Sequence, residues 1–364
     1  MRIGIDVSPI QYAGTGVARY TTELVEHLVT QKSPHEYTLF YSSFGNIAAI
    51  TNLKEVLAPQ KNVHIRTFPI PEFVLHGLWN EKNLVSVEQF IGKQDLFLYS
   101  DWLMPPFSGK KVTTVHDLVF KKYPQTVHPY ILKTQEKRFD RLVKESFFIM
   151  CDSYATQKDL LELYPIDKDN TKVIYPGVTT VAQSKEVCVA TRKELGLTKP
   201  FILTVGKKEP RKNIPRLIDA FGSLKNADVE LAIVGPSGWE DVDSSTGVRV
   251  IPFIQDAELY ALYQEALCFV MPSLYEGFGF PLVEAMSLGC PTACSQNSSL
   301  SELGEDASLF FDPLDSASIA RALKRLTEDV KLREELIKKG KKKASQFSWE
   351  KTAQNVMGVL NKLA

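Results

Sequence analysis

The chain has 364 residues, a length that favours two domains over one. Lys plus Arg equals Asp plus Glu at 43 each, so bulk charge gives no case for a nucleic-acid binder and any basic site must be local. Five scattered cysteines argue against a disulfide framework, and no apolar run approaches the ~20 residues of a membrane span, so a soluble cytoplasmic protein is expected, at most peripheral to a membrane.

From the N-terminus, MRIGIDVSPI reads as a strand rather than a signal peptide. Apolar strand-like runs follow at Ile3–Val7, Tyr37–Tyr41, Val63–Phe68, Leu96–Tyr99, Val112–Val115, Phe147–Met150 and Val173–Tyr175. They alternate with helical periodicity near Val17–Thr30, Leu84–Ile91, Tyr130–Glu145 and Ala155–Leu163. That alternation predicts α/β architecture with parallel sheets. The pattern breaks at Pro176-Gly177, and the polar stretch Val178–Pro200 reads as a linker.

A second series runs through Phe201–Val205, Glu230–Val234, Val248–Ile251, Cys268–Met271, Thr292–Ser295 and Ser308–Phe311. Its helices fit Asn213–Leu224, Asp256–Ala266, Leu282–Leu288 and Ser316–Thr327. A helical tail from Lys331 is split near Ser345–Trp349. The domains are therefore 1–177, 178–345 and a terminal helix over 346–364. Two open sheets of this kind place ligands at the carboxyl ends of their strands.

The most specific motif runs from Glu276-Gly277-Phe278-Gly279-Phe280-Pro281 through Leu282, Val283 and Glu284. The glycines admit a ligand close to the backbone, and Pro281 suits a first helical turn. Free N–H groups at that helix start make an anion site, and Glu276 and Glu284 can accept hydrogen bonds from sugar and ribose hydroxyls. A second motif, Gly206-Lys207-Lys208-Glu209-Pro210-Arg211-Lys212-Asn213, sets cations at a strand end and a helix start. Cations there oppose the helix dipole unless an anion lies between them, so a diphosphate clamp is expected, with Arg211 and Lys212 ahead of Lys207.

Supporting signals are weaker. Gly14-Thr15-Gly16 lacks the third glycine of a dinucleotide fingerprint and reads as a loop touching donor phosphate or acceptor. His116 ends a buried strand, where a functional role outweighs a structural one. Asp241-Val242-Asp243 imitates a metal-binding acid pair but reads as a polar turn, so no metal site is expected. The apolar, twice proline-broken segment from Phe68 to Trp79 reads as a surface loop, with Phe73 and Trp79 as acceptor contacts; folding onto the first domain is the competing reading.

On Gly14-Thr15-Gly16, His116-Asp117, Glu209 to Asn213 and Glu276 to Glu284, the whole chain resembles the retaining glycosyltransferases of family 4. The resemblance implies the GT-B fold, two Rossmann-like domains facing each other across a cleft, with the last helix returning to the first domain. It also implies that Arg211 and Lys212 bind the donor diphosphate, Glu284 the ribose, and Glu276 with the backbone of Phe278 to Phe280 the transferred sugar. His116 would lie near the reacting sugar, Gly16 near phosphate or acceptor, and Phe253 and Ile254 near the base. Many members carry Arg where this chain has Lys207, so whether Lys207 or Arg211 meets the phosphate most closely stays open.

The expected activity is retaining, metal-independent hexosyl transfer from a nucleotide sugar, without a cofactor, to a saccharide or lipid-linked acceptor in glycan biosynthesis. GDP-mannose is the preferred donor; UDP- or dTDP-sugars and a non-catalytic nucleotide-sugar-binding subunit are the alternatives. Glu276 is the one candidate nucleophile. No pyridoxal-binding lysine motif favours a phosphorylase, and the incomplete glycine pattern disfavours a dehydrogenase.

Overall fold

The computed structural model describes residues 1–45, 48–236 and 247–364. The acid pair at Asp241 and Asp243 lies outside the described residues. The chain divides into two compact units. One holds residues 1–120, 127–177 and 349–364; the other holds 121–126 and 178–348.

The first unit carries β1 (Arg2–Asp6), β2 (Glu36–Ser42), β3 (Val63–Phe68), β4 (Leu96–Tyr99), β5 (Lys110–Val115), β6 (Phe148–Cys151) and β7 (Thr171–Val173). They form one parallel sheet in the order β3-β2-β1-β4-β5-β6-β7. β4 and β6 are buried along their whole length, as strands covered on both faces must be. The order reverses between β1 and β4, and a doubly wound sheet opens its ligand crevice at such a switch point.

Helix Gly16–Val29 follows β1 and is capped by Thr15, whose Oγ1 accepts from the Ala18 N–H at 3.2 Å. The terminal helix Trp349–Lys362 packs on it within this unit, with Tyr20 edge-on to Trp349 at 5.7 Å. Thr352 Oγ1 also donates to the Tyr175 carbonyl at 2.8 Å.

The second unit carries β8 (Phe201–Val205), β9 (Glu230–Val234), β10 (Val248–Ile251), β11 (Cys268–Met271), β12 (Thr292–Ser295) and β13 (Ser308–Phe311). Their order is β10-β9-β8-β11-β12-β13, again all parallel, with the switch point between β8 and β11. Both units are thus Rossmann-like α/β layers, each with its own core.

The segment from Phe68 to Trp79 is not a surface loop. Pro71 serves as the N-cap of a helix over Glu72–Leu75, and a π-helical turn continues over His76–Glu81. Proline is compatible with a helix start, so Pro71 introduces the helix rather than preventing it. Leu75 and Trp79, four residues apart, share one face and are fully buried. Trp79 packs on Phe40 at 5.4 Å and Phe90 at 5.7 Å, and its indole N–H donates to the Val85 carbonyl at 2.9 Å. Acceptor contact by Trp79 is therefore corrected to a core role, whereas Phe73 is 74% exposed.

The polar stretch after residue 178 contains a helix at Lys185–Glu194, capped by Ser184 and burying Cys188 and Thr191. The helix expected from Leu84 begins only at Glu88. Helices at Ala48–Leu57 and Ser298–Leu303 complete segments without a sequence assignment.

Candidate functional site

In the second unit, the two specific motifs meet at the switch point. Lys207 and Lys208 follow β8, and a short 3-10 turn over Pro210–Lys212 leads into helix Ile214–Gly222. Asn213 joins turn to helix with φ 58°, and its Nδ2 donates to the carbonyls of Pro272 at 3.0 Å and Pro313 at 2.8 Å. The Arg211 carbonyl accepts from the Leu274 N–H at 2.7 Å. The cationic turn is thereby tied to the loop after β11.

That loop carries Glu276, only 7% exposed. Its Oε1 accepts from Lys212 Nζ at 2.6 Å and its Oε2 from Arg211 Nη1 at 2.9 Å. Arg211 Nε also pairs with Glu209 Oε1 at 2.7 Å. Burial alone would raise the Glu276 pKa, but the charges of Lys212 and Arg211, with hydrogen bonds from Lys212 and Ser273, bring it down to about 2. Lys212 shifts down, through burial and the neighbouring Arg211, against the pull of Glu276. Two cations and two carboxylates make this cluster neutral.

The loop geometry is fixed from behind by the helix Ser298–Leu303. Ser298 Oγ accepts from the Glu276 N–H at 3.1 Å, and Ser299 Oγ donates to the Glu276 carbonyl at 3.0 Å. Gly279 caps the next helix, Phe280–Ser287, with φ 116°. A Cβ there would sit 2.9 Å from Leu300 Cδ2, so both conformation and space demand glycine. Gly235, which follows β9, is as constrained: with φ 152°, a Cβ there would stand 2.2 Å from the Gly206 carbonyl oxygen.

The structure does not treat the other assigned residues alike. Gly277 and Phe278 are buried, and Phe280 is half-buried at the helix start. Leu282 and Val283 have fully buried side chains, which leaves the backbone as their route to a ligand. Glu284 is 3% exposed and accepts from the Tyr263 hydroxyl at 3.2 Å. Lys207 and Phe253 are exposed and Ile254 half-buried.

In the first unit, a cavity of about 440 Å³ opens at the other switch point. The carboxyl ends of β1, β4, β5 and β6 deliver Asp6, Asp101, His116 and Asp152 to this region. Asp6 is buried, accepting from Ser100 Oγ at 2.6 Å and the Ser8 N–H at 3.0 Å, and burial raises its pKa. His116 Nδ1 lies 2.7 Å from Asp152 Oδ2. Burial pulls the His116 pKa down, but the charge and hydrogen bond of Asp152 prevail and the net shift is upward. Thr15 lines the cavity with its hydroxyl spent on the helix cap; Gly14 turns the chain before it with φ 82°, and Gly16 opens the helix.

Sequence reasoning missed Asp152, Glu72 and Trp102. Asp152 follows a buried strand just as His116 does, so the strand-end rule could have found it. Trp102 Nε1 donates to Glu72 Oε1 at 2.6 Å, and the Tyr12 hydroxyl donates to Glu72 Oε2. No local pattern links residues this far apart.

The Glycosyltransferase Family 4 profile matches residues 14–181 and the Glycosyl transferases group 1 profile residues 190–343. The chain belongs to the family 4 glycosyltransferases, with the GT-B fold. It is 29% identical to O-antigen chain mannosyltransferase B of Escherichia coli, over 96% of this chain and 97% of that protein. It is 32% identical to the serotype-specific mannosyltransferase WbdA of Escherichia coli over 56% of this chain, but over only 27% of WbdA. In fold it is similar to the sucrose-phosphate synthase of Thermosynechococcus elongatus, with a TM-score of 0.77 at 21% identity, covering 100% of this chain and 99% of that one. Among the described residues, no helix is long and apolar enough to cross a membrane.

Proposed function

We propose that this glycosyltransferase moves a mannosyl residue from GDP-mannose, with retention, onto a saccharide or lipid-linked acceptor in glycan biosynthesis. The carrying observation is the Arg211, Lys212 and Glu276 cluster at the switch point of the second sheet. The mannosyl assignment is supported by the likeness to two mannosyltransferases. In this reading Arg211 and Lys212 take up the charge of the departing diphosphate, assisted by the helix start at Phe280 and without a resident metal or cofactor. Glu284 receives the ribose, and Phe253 with Ile254 meets the base. Lys207, being exposed, is free to swing toward the phosphates as a mobile point charge.

The pairing of Glu276 bears on retention. Its carboxylate is ionised but shared between two cations, which lowers its nucleophilicity. We therefore favour acceptor attack on the face that the diphosphate leaves, over a covalent Glu276 intermediate. In this reading His116, oriented by Asp152, serves the acceptor in the first unit.

A panel of GDP-, UDP- and dTDP-sugars tests the donor. Thermal shift reads binding, since a ligand at 100 times its dissociation constant adds ~2.7 kcal/mol, and chromatography reads the nucleotide released. Stabilisation and turnover by GDP-mannose in the presence of EDTA support the assignment. Turnover confined to UDP- or dTDP-sugars, or abolished by EDTA and restored by magnesium, overturns the donor or the metal-independent part respectively. Binding without any turnover supports a nucleotide-sugar-binding subunit instead.

A further inference from the structure

We propose that the cavity of the first unit is an acceptor subsite for an uncharged hexose, with Glu72 and Trp102 as its specificity-determining residues; this rests on the glycosyl-transfer reading above. The cavity, about 440 Å³, lies within the ~300–1,000 Å³ span of small-molecule sites. It is bounded by four carboxylates, Asp6, Glu72, Asp101 and Asp117, against Arg138 and the ionisable His116. Arg138 is itself 3% exposed and spends Nη2 on Thr113 Oγ1 at 2.9 Å and the Thr114 carbonyl at 2.8 Å, while its Nε has no partner.

An anion entering this space meets more carboxylate than cation, and its like charges are poorly screened away from bulk water. A neutral sugar meets acceptors for its hydroxyl protons. Glu72 is the best placed of these, because the Trp102 N–H and the Tyr12 hydroxyl hold each of its oxygens in position. A carboxylate oxygen has a second lone pair for a ligand hydroxyl. Trp102, its N–H already committed, offers ring surface to the C–H face of a pyranose. Burial and the neighbouring Asp6 and Asp101 raise the Glu72 pKa, which accords with a dense local acid field.

The test compares methyl α-D-mannopyranoside and methyl α-D-glucopyranoside with mannose 6-phosphate and glucose 6-phosphate. Acceptor kcat/KM is measured with donor, and saturation-transfer NMR reads binding without it. The neutral sugars should be preferred by about tenfold or more in both arms. Glu72→Gln and, as a second variant of an independent carboxylate, Asp101→Asn should each narrow that ratio. Trp102→Ala should lower kcat/KM for neutral and phosphorylated sugars together. Phosphosugars bound or used as well as neutral ones, or a ratio unmoved in both charge variants, overturn the proposal. The donor-free NMR arm reads the same preference where no nucleotide sugar is turned over, so failure of glycosyl transfer is separable from failure of this subsite.

Discussion

Glu276→Gln separates what the buried acid does for the fold from what it does for the donor. In the wild type, one carboxylate at 7% exposure bridges Lys212 at 2.6 Å and Arg211 at 2.9 Å. A pKa lowered from 4.5 to about 2 corresponds to about 3 kcal/mol of folded-state preference for the ionised form, part of which the downward shift of Lys212 cancels. Removing the charge also strands two buried cations with only Glu209 between them, and breaking such a pair costs about 3–5 kcal/mol. At roughly 2–4 °C per kcal/mol for a unit of this size, the melting transition of the second unit should fall by roughly 6–20 °C at neutral pH.

The acid limb fixes the sign. A depressed carboxylate stabilises the fold fully above its unfolded pKa, near 4.5, and loses that contribution as pH falls toward about 2. The gap between wild type and variant should therefore close in acid. Binding moves the other way: freed from Glu276, the clamp gains net positive charge and should hold GDP or UDP at least as tightly, while transfer is lost. Differential scanning calorimetry from pH 3 to 7 and nucleotide calorimetry at neutral pH read both. A melting point within a degree or two of wild type, a gap as wide at pH 3 as at neutral pH, or markedly weaker nucleotide binding would refute the reasoning.

Lys212→Ala and Arg211→Ala should each reduce transfer by at least a hundredfold, since losing one charge-stabilising donor costs about 2.7–4 kcal/mol of barrier, with kcat falling in a protein that stays folded by circular dichroism. Trp79→Ser should lower stability by about 3–5 kcal/mol in urea titrations, whereas Phe73→Ser at the exposed neighbouring position should stay within about 0.5 kcal/mol. Asp152→Asn leaves burial as the main influence on His116, so its pKa should fall and any kcat/KM limb it controls should move to lower pH, seen in a pH–rate profile. Because the wild-type His116 pKa is raised, its charge supports the fold below about pH 6.5 and that support fades as pH climbs past its folded value; Asp152→Asn should flatten this dependence in melts across pH 5–9.

Much of the fold was legible because a parallel sheet buries both faces of its strands, which makes them short apolar runs that periodicity alone detects. The six described strands of the second unit fall where those runs stand. Legibility failed where a helix buries little. Lys185–Glu194 covers only Cys188 and Thr191 and otherwise shows charge to solvent, so it reads as linker. It failed again at Pro71, where a residue that breaks helix interiors marks the start of a helix.

The site divides along the same line. Local chemistry marked each member of the cluster at the second switch point: the glycine that turns, the cations at a strand end, the acid in a loop. What sequence could not supply was their state, because Lys212 and Glu276 stand 64 positions apart and only the meeting of β8 with β11 joins them. Read as separate motifs they are a clamp waiting for an anion; folded together they are a clamp already occupied by its own carboxylate. On the proposed donor assignment, the diphosphate competes with Glu276 for Arg211 and Lys212, and the same carboxylate, once displaced, is released beside the sugar that the diphosphate carries. Under that assignment donor binding and the freeing of a hydrogen-bond acceptor for the sugar become one event, a coupling that neither motif shows alone.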